Sequence, residues 1–308
     1  MSTDVDTAVS LAASYLARGA SGKAIDVLKR ALAEEPEHAL SHALLAQALI
    51  AERRPHAAAY EARLALELAP EDTFAHRVMA AAQIAERRLG RAREHAQRAI
   101  ELAPEDAGLH VLLANIELLD GRAAEALRHA RSARALEPAD PDVLAMVGEC
   151  ELRNGDALRA EESARAALEE FPEHADSLVL MGEILLLRGD VEAAREHAIW
   201  VLQSSPDHES ALRLLVNVKA RKSFWLGTWW RVNAWLTRST TRAIAVLVGA
   251  YLLQRALTIW AGQQDRPMTQ QLIGLGWLAV CVYSWVAPAL HRRALAKELA
   301  EVKLRPEF

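Results

Sequence analysis

The sequence predicts an all-α chain, with six copies of a two-helix unit stacked as a solenoid and a helical hairpin of membrane type behind them. Three observations predict it. Pro36, Pro70, Pro104, Pro138, Pro172 and Pro206 follow one another at 34-residue steps, with no insertion or deletion between them. Ala24, Ala58, Ala92, Ala126, Ala160 and Ala194 stand twelve residues before those prolines in all six units. Finally, two long apolar runs lie beyond residue 240. A fixed period of this length marks units that cannot bury their apolar faces alone and do so by stacking.

Each unit reads as two helices with apolar periodicity near 3.6 residues. Gly19, Pro55, Gly90, Gly121, Gly155 and Gly189 fall where the first helix turns into the second, and a glycine able to take the left-handed conformation is the expected stop. The periodic prolines end the second helix, because the residue before a proline avoids the αR region and the ring cannot continue the ladder. Acidic residues after them, as in Pro-Glu-Asp, then sit at the positive N-terminus of the next helix. A second small-residue column, Ala31, Ala65, Ala99, Ala133 and Ala167, broken by Val201, marks where helices approach closely. Residues 209–222 begin like a seventh first helix, with Leu212, Leu215 and Val218 on one side, and would cap the stack.

The period, the late proline, the alanine column and the small residue seven positions after it resemble the tetratricopeptide repeat. That resemblance implies a right-handed helix-turn-helix solenoid over residues 1–208. The match departs from the family pattern at its aromatics. Where the family carries Trp, the units have Ala8, His42, His76, His110, Leu144 and Leu178, and the family Tyr survives as Tyr15 alone. Where it carries Gly, Gly148 and Gly182 comply, while Ala12, Ala46, Ala80 and Ala114 substitute small for small. The expected core is therefore packed from alanine and leucine.

Charge divides the chain. Residues 1–218 hold 23 Lys and Arg against 37 Asp and Glu, while residues 219–308 hold 13 against 4. Seven of the eight tryptophans lie beyond Lys222. Cys150 and Cys281 are too few for a disulfide framework and differently placed, which suits a reducing compartment. The first residues show no basic segment followed by an apolar one, so no cleavable signal is expected.

Residues 223–240 mix Trp225, Trp229, Trp230 and Trp235 with Arg231 and Arg238, the make-up of a helix in the headgroup layer; a tryptophan face packed on the solenoid end is the alternative. Residues 241–290 contain the two apolar runs. Ala243 to Trp260 and Leu272 to Leu290, 18 and 19 residues, would each span about 27–28 Å as helices, close to the hydrocarbon core of about 30 Å. Arg255 is near enough to Trp260 to reach the interface. Basic residues flank the hairpin on both sides, and residues 291–308 form a basic tail, so the positive-inside rule places the repeats and both termini in the cytoplasm. An interfacial or re-entrant hairpin is the rival arrangement. The alanine, arginine and leucine bias suits a bacterium of high genomic GC, whose inner membrane would be the site.

Catalytic signatures are lacking: no phosphate loop, His-Glu-x-x-His, Cys-x-x-Cys or Gly-x-Ser-x-Gly occurs. No enzyme activity, cofactor or metal is expected. His38 and His42 stand four apart but have no further ligand nearby, and His42, His76 and His110 recur at one repeat position, which suits packing between units.

In the resembled family the first helices line a concave face. The positions concerned are Val9, Ala43, Arg77, Val111, Ala145 and Val179, then Ala13, Gln47, Ala81, Asn115, Glu149 and Glu183, then Leu16, Ile50, Ile84, Leu118, Leu152 and Leu186. The face is apolar with a thin polar line, and Gln47, Arg77, Asn115, Glu149, Arg153 and Glu183 are its candidate partner-binding residues; the alternative is that its apolar positions pack against the facing helix of the superhelix. Val111 stands where a lysine would complete the basic clamp of chaperone-binding members, so that specificity is not expected. A helix or extended peptide is. Nucleic acid is not, because the acidic repeats repel phosphate; the basic tail suits anionic lipid. The reading is a membrane-anchored adaptor, with self-association open. The alternative is a subunit of a membrane transport, secretion or envelope assembly, in which the hairpin is the functional part and Gly249, Ala250, Gly274 and Gly276 permit close helix packing.

Overall fold

A computed structural model describes residues 2–222 of the chain, together with residues 254–256, 258–259, 268 and 274–275. Thirteen helices and no strand occur among the described residues. They are α1 (Ser2–Ala17), α2 (Ser21–Glu34), α3 (Ala39–Ala51), α4 (Pro55–Leu68), α5 (Thr73–Ala85), α6 (Leu89–Leu102), α7 (Ala107–Leu119), α8 (Ala123–Leu136), α9 (Pro141–Arg153), α10 (Ala157–Glu170), α11 (Ala175–Arg188), α12 (Val191–Ser204) and α13 (Glu209–Lys222). Odd helices open the repeats and even helices close them. The chain divides into two compact units, Met1–Leu180 and Met181–Phe308.

The alanine columns are the floor of the packing. Ala24, Ala58, Ala92, Ala126, Ala160 and Ala194 are all fully buried, as are Ala65, Ala99, Ala133 and Ala167 of the second column. A methyl group at these points lets one helix backbone approach the next, and any larger side chain would have to displace it. Leu28, Leu109, Leu113 and Ile116 fill the space beside them within the first unit. There each helix packs on the next in sequence, and α3 touches both α1 and α5. The first helices thus form a row of their own.

Both kinds of turn obey the 34-residue register. The left-handed position after the first helix falls at Gly19, Arg53, Arg87, Gly121, Gly155 and Gly189, with φ between 55° and 94°. This corrects two of the expected stops. Pro55 is the first residue of α4, where its missing N–H costs nothing, and Gly90 is the second residue of α6. Arg53 and Arg87 take the left-handed conformation instead, at φ 55° and 61°.

After the second helix, the residue before each proline leaves the helical region, as at Glu35 (φ −128°, ψ 85°) and Ala103 (φ −140°, ψ 75°). The residue two after the proline then caps the next helix. Asp72 Oδ1 accepts from the Ala75 N–H at 2.6 Å, Asp106 Oδ1 from Leu109 at 3.3 Å and Asp140 Oδ1 from Val143 at 2.9 Å. His38 and His208 do the same with Nδ1, accepting from the Ser41 and Ala211 N–H groups at 3.2 and 3.3 Å.

In the second unit α13 packs on α12. Its buried side is Ala211, Leu214, Leu215 and Val218, which replaces the expected Leu212 by Leu214. Arg221 Nη1 donates to the Leu186 carbonyl at 2.6 Å. No helix among the described residues is long and apolar enough to cross a membrane. The expected interfacial segment, with Trp225, Trp229, Trp230 and Trp235, the two apolar runs, Trp260 and the basic tail lie almost entirely outside the described residues.

Candidate functional site

The first-helix face is narrower than the sequence suggests. Seven of the thirteen residues of α3 from Ser41 to Ala48 are buried, together with Leu49, leaving Leu40, Gln47 and Ala51 as an exposed stripe. Those three lie at i, i+7 and i+11, one line along a helix. Ala43, Ala145 and Val179, expected in the groove, are buried packing residues, while Val9 and Val111 are half-buried. The apolar part of the predicted groove is therefore largely inter-helix packing.

What reaches solvent lies on the first helices of repeats two to six. Gln47, Arg77 and Arg153 are exposed, and Asn115, Glu149 and Glu183 are half-buried. Five of these six belong to the first unit and Glu183 to the second. Arg77 lies over the Phe74 ring, 5.0 Å from its centroid, and Arg153 pairs with Glu149 one turn away at 3.3 Å. Three accessible positions escaped the sequence reading: Leu40, 45% exposed, Leu119, 52% exposed, and the partly buried Phe74. Their signal was the 34-residue register, since Leu40 and Phe74 share one column and Leu119 and Arg153 another. Along the first unit the stripe changes from Leu40, Gln47, Phe74 and Ala81 to Asp142 and Glu149, so its early end is apolar and its late end acidic.

The recurring histidines His42, His76 and His110 lie elsewhere, in the seams within and between repeats. His42, His76 and His110 each direct Nε2 at the carbonyl of the proline that precedes their repeat: Pro36 at 2.9 Å, Pro70 at 3.0 Å and Pro104 at 3.4 Å. Each ring also meets a residue nineteen positions on. His42 Nδ1 lies 2.7 Å from Glu61 Oε2, His76 Nδ1 lies 3.1 Å from His95 Nδ1, and His110 stacks on His129 with centroids 6.2 Å apart. Burial lowers the pKa of His95, and the nearby His76 lowers it further. For His129 burial again leads, followed by Arg128 and His110. His38, once paired with His42 as a conceivable metal site, is instead the cap of α3, and no group of three or more metal-ligating side chains gathers among the described residues.

Two further buried groups are inert or structural. Cys150 is fully buried, and burial pushes its thiol up to about 12, so it is not a nucleophile. Glu117 is 4% exposed and is held by Arg93, whose Nε donates to it at 2.6 Å and whose Nη2 reaches Asp120 at 2.6 Å. Glu117 is also the leading cause that raises the Arg93 pKa. This network ties α6 to α7.

A family model for the tetratricopeptide repeat matches residues 9–73, 78–142 and 148–215. Among curated proteins none matches the sequence. Several solved structures share the fold. The PilF protein of Pseudomonas aeruginosa is 20% identical, with a TM-score of 0.54 over 69% of this chain and 96% of that one. A thermophilic tetratricopeptide protein of Thermus thermophilus is 23% identical, with a TM-score of 0.55 over 59% and 99%. The APC/C hetero-tetramer Cut9–Hcn1 is 16% identical, with a TM-score of 0.58 over 70% of this chain and 42% of the other. At these identities the likeness is one of fold.

Proposed function

Because the chain belongs to the tetratricopeptide repeat family, whose members are protein-interaction scaffolds, we propose that it is an adaptor that holds a protein partner along its first helices at the cytoplasmic face of a membrane. The observation that carries the interaction is the stripe of exposed Gln47 and Arg77 and half-buried Asn115 and Glu149, on helices whose other sides are closed by packing. A partner in helical or extended form could place apolar side chains at Leu40 and Phe74 and hydrogen-bond to Gln47 and Asn115. Its basic end would face Asp142 and Glu149.

Membrane attachment rests on the sequence: two apolar runs of 18 and 19 residues with basic flanks. Confinement to a surface raises the effective concentration of the repeats for partners on that surface.

Two measurements test the two halves of the reading. Carbonate extraction with protease protection should leave the full chain in the membrane pellet and its repeats open to cytoplasmic protease; release by carbonate would remove the spanning hairpin. Photo-cross-linkers at Gln47 and Asn115 should capture a partner that one at Tyr60, exposed on a second helix, does not. Equal capture at all three would sink the first-helix assignment.

A further inference from the structure

The fifth repeat interrupts the histidine seam. Leu144 stands where His42, His76 and His110 stand, and Ser163 where Glu61, His95 and His129 stand. A cavity of about 360 Å³ opens beside this pair, lined by Arg131 and Arg134 of α8, Leu144 and Glu151 of α9, and Arg159, Glu162, Ser163 and Ala166 of α10. It opens between two second helices, away from the first-helix stripe.

Its charges are incompletely matched. Arg131 and Arg134, three residues apart on α8 and exposed, form no ion pair or hydrogen bond among the described residues. Arg159 Nε lies 3.4 Å from Asp156 at the mouth. Glu151 is 4% exposed, and Ser163 Oγ, at 2.9 Å, is the one side-chain donor it has among the described residues. Its counterpart one repeat earlier, Glu117, is held by Arg93; the position equivalent to Arg93 is Leu127. The cavity therefore presents two free guanidinium forks, an apolar wall at Leu144 and Ala166, the exposed Glu162, and a buried carboxylate whose side-chain donor is Ser163.

We infer that this cavity receives an acidic segment of a protein partner, with a side-chain carboxylate on Arg131 and Arg134 and a backbone N–H on Glu151. Guanidinium forks match a carboxylate bidentately. Arg159 is taken by Asp156, which leaves Arg131 and Arg134 as the pair that one carboxylate can bridge. A free phosphate would bring more negative charge and no N–H, and would face Glu151 unfavourably. The inference is independent of the first-helix stripe and of the membrane anchor.

The test is titration of the full chain in detergent with a short labelled oligoglutamate peptide, with inorganic phosphate as competitor. The basic C-terminal part also attracts such a peptide, so the reading is the component that the variants remove. Arg131→Glu with Arg134→Glu should weaken that component about tenfold or more. Leu144→His with Ser163→His restores the pair that the preceding repeat accommodates, narrows the cavity and should weaken that component likewise, with the thermal unfolding midpoint kept. Peptide binding unchanged in both variants would overturn the assignment. So would displacement of the peptide by equimolar phosphate, which would make the cavity a site for a free inorganic anion.

Discussion

Repeats two to four and repeat five have the same backbone plan and opposite seams. In the earlier repeats a histidine at 42, 76 or 110 donates to a proline carbonyl and meets a polar partner from the second helix. In the fifth, Leu144 and Ser163 meet neither, and a cavity opens beside a buried carboxylate. The alanine columns are intact in both. Helix position is therefore set by the small residues, and the seam is free to be polar and filled or apolar and hollow. A repeat protein tolerates such variation because each unit answers only to its neighbours.

The largest expected effect deepens the hollow. Leu144→Ala removes a buried side chain beside an existing cavity and should cost about 3 kcal/mol, read as a lower urea midpoint with unchanged slope. An equal loss for Leu158→Ala, whose side chain is 71% exposed, would show that the cavity is irrelevant. Next, His76→Leu copies the fifth-repeat residue into the third. It leaves the Pro70 carbonyl and His95 Nδ1 without their partner and should cost about 2 kcal/mol. If stability holds, the histidine seam is decoration.

Smaller still is a gain from a turn. Arg87 occupies a left-handed position that Gly121 and Gly155 fill in later repeats, so Arg87→Gly should stabilise by about 0.5–1 kcal/mol. The same change at Arg88, which is not left-handed, should not. The most gradual effect is acid. The pKa values of His95 and His129 lie below 6.5 in the fold, chiefly through burial, so the unfolded chain takes up protons first. Stability is then full above about 6.5 and declines as pH falls through that value toward the lower folded ones. His95→Ser, which copies Ser163, should flatten that decline in pH-dependent urea melts.

How much of this was legible follows from which contacts are local. The 34-residue register gave the helices, the alanine floor and the proline stops, because each depends on one residue type being small or unable to donate. It did not give Arg53 and Arg87 as left-handed residues. Arginine carries no turn signal, and only the register with Gly19 and Gly121 could have revealed them. The histidine caps were hidden similarly: His38 and His208 take their role from standing in line with Asp72, Asp106 and Asp140. The first-helix stripe was legible in part. Gln47, Arg77 and Arg153 do reach solvent, but Ala43, Ala145 and Val179 are consumed by packing against neighbouring repeats, which a single helix pattern cannot show. The cavity lies beside Leu144 and Ser163, nineteen residues apart, and had no sequence signal until the histidine partners were known.

The cap and the seam both take their partners from fixed chain distances, and this has a genetic consequence. Excising residues 73–106 would join Asp72 to Ala107 and leave His110 six residues after Pro70, the spacing that His76 has now. Asp72 would then cap the helix that Asp106 caps, and the Pro70 carbonyl would meet a histidine as before. Unequal exchange between gene copies could therefore shorten or lengthen this protein by whole cassettes without orphaning a cap or a carbonyl, which makes repeat number a quantity that selection can set separately from repeat chemistry.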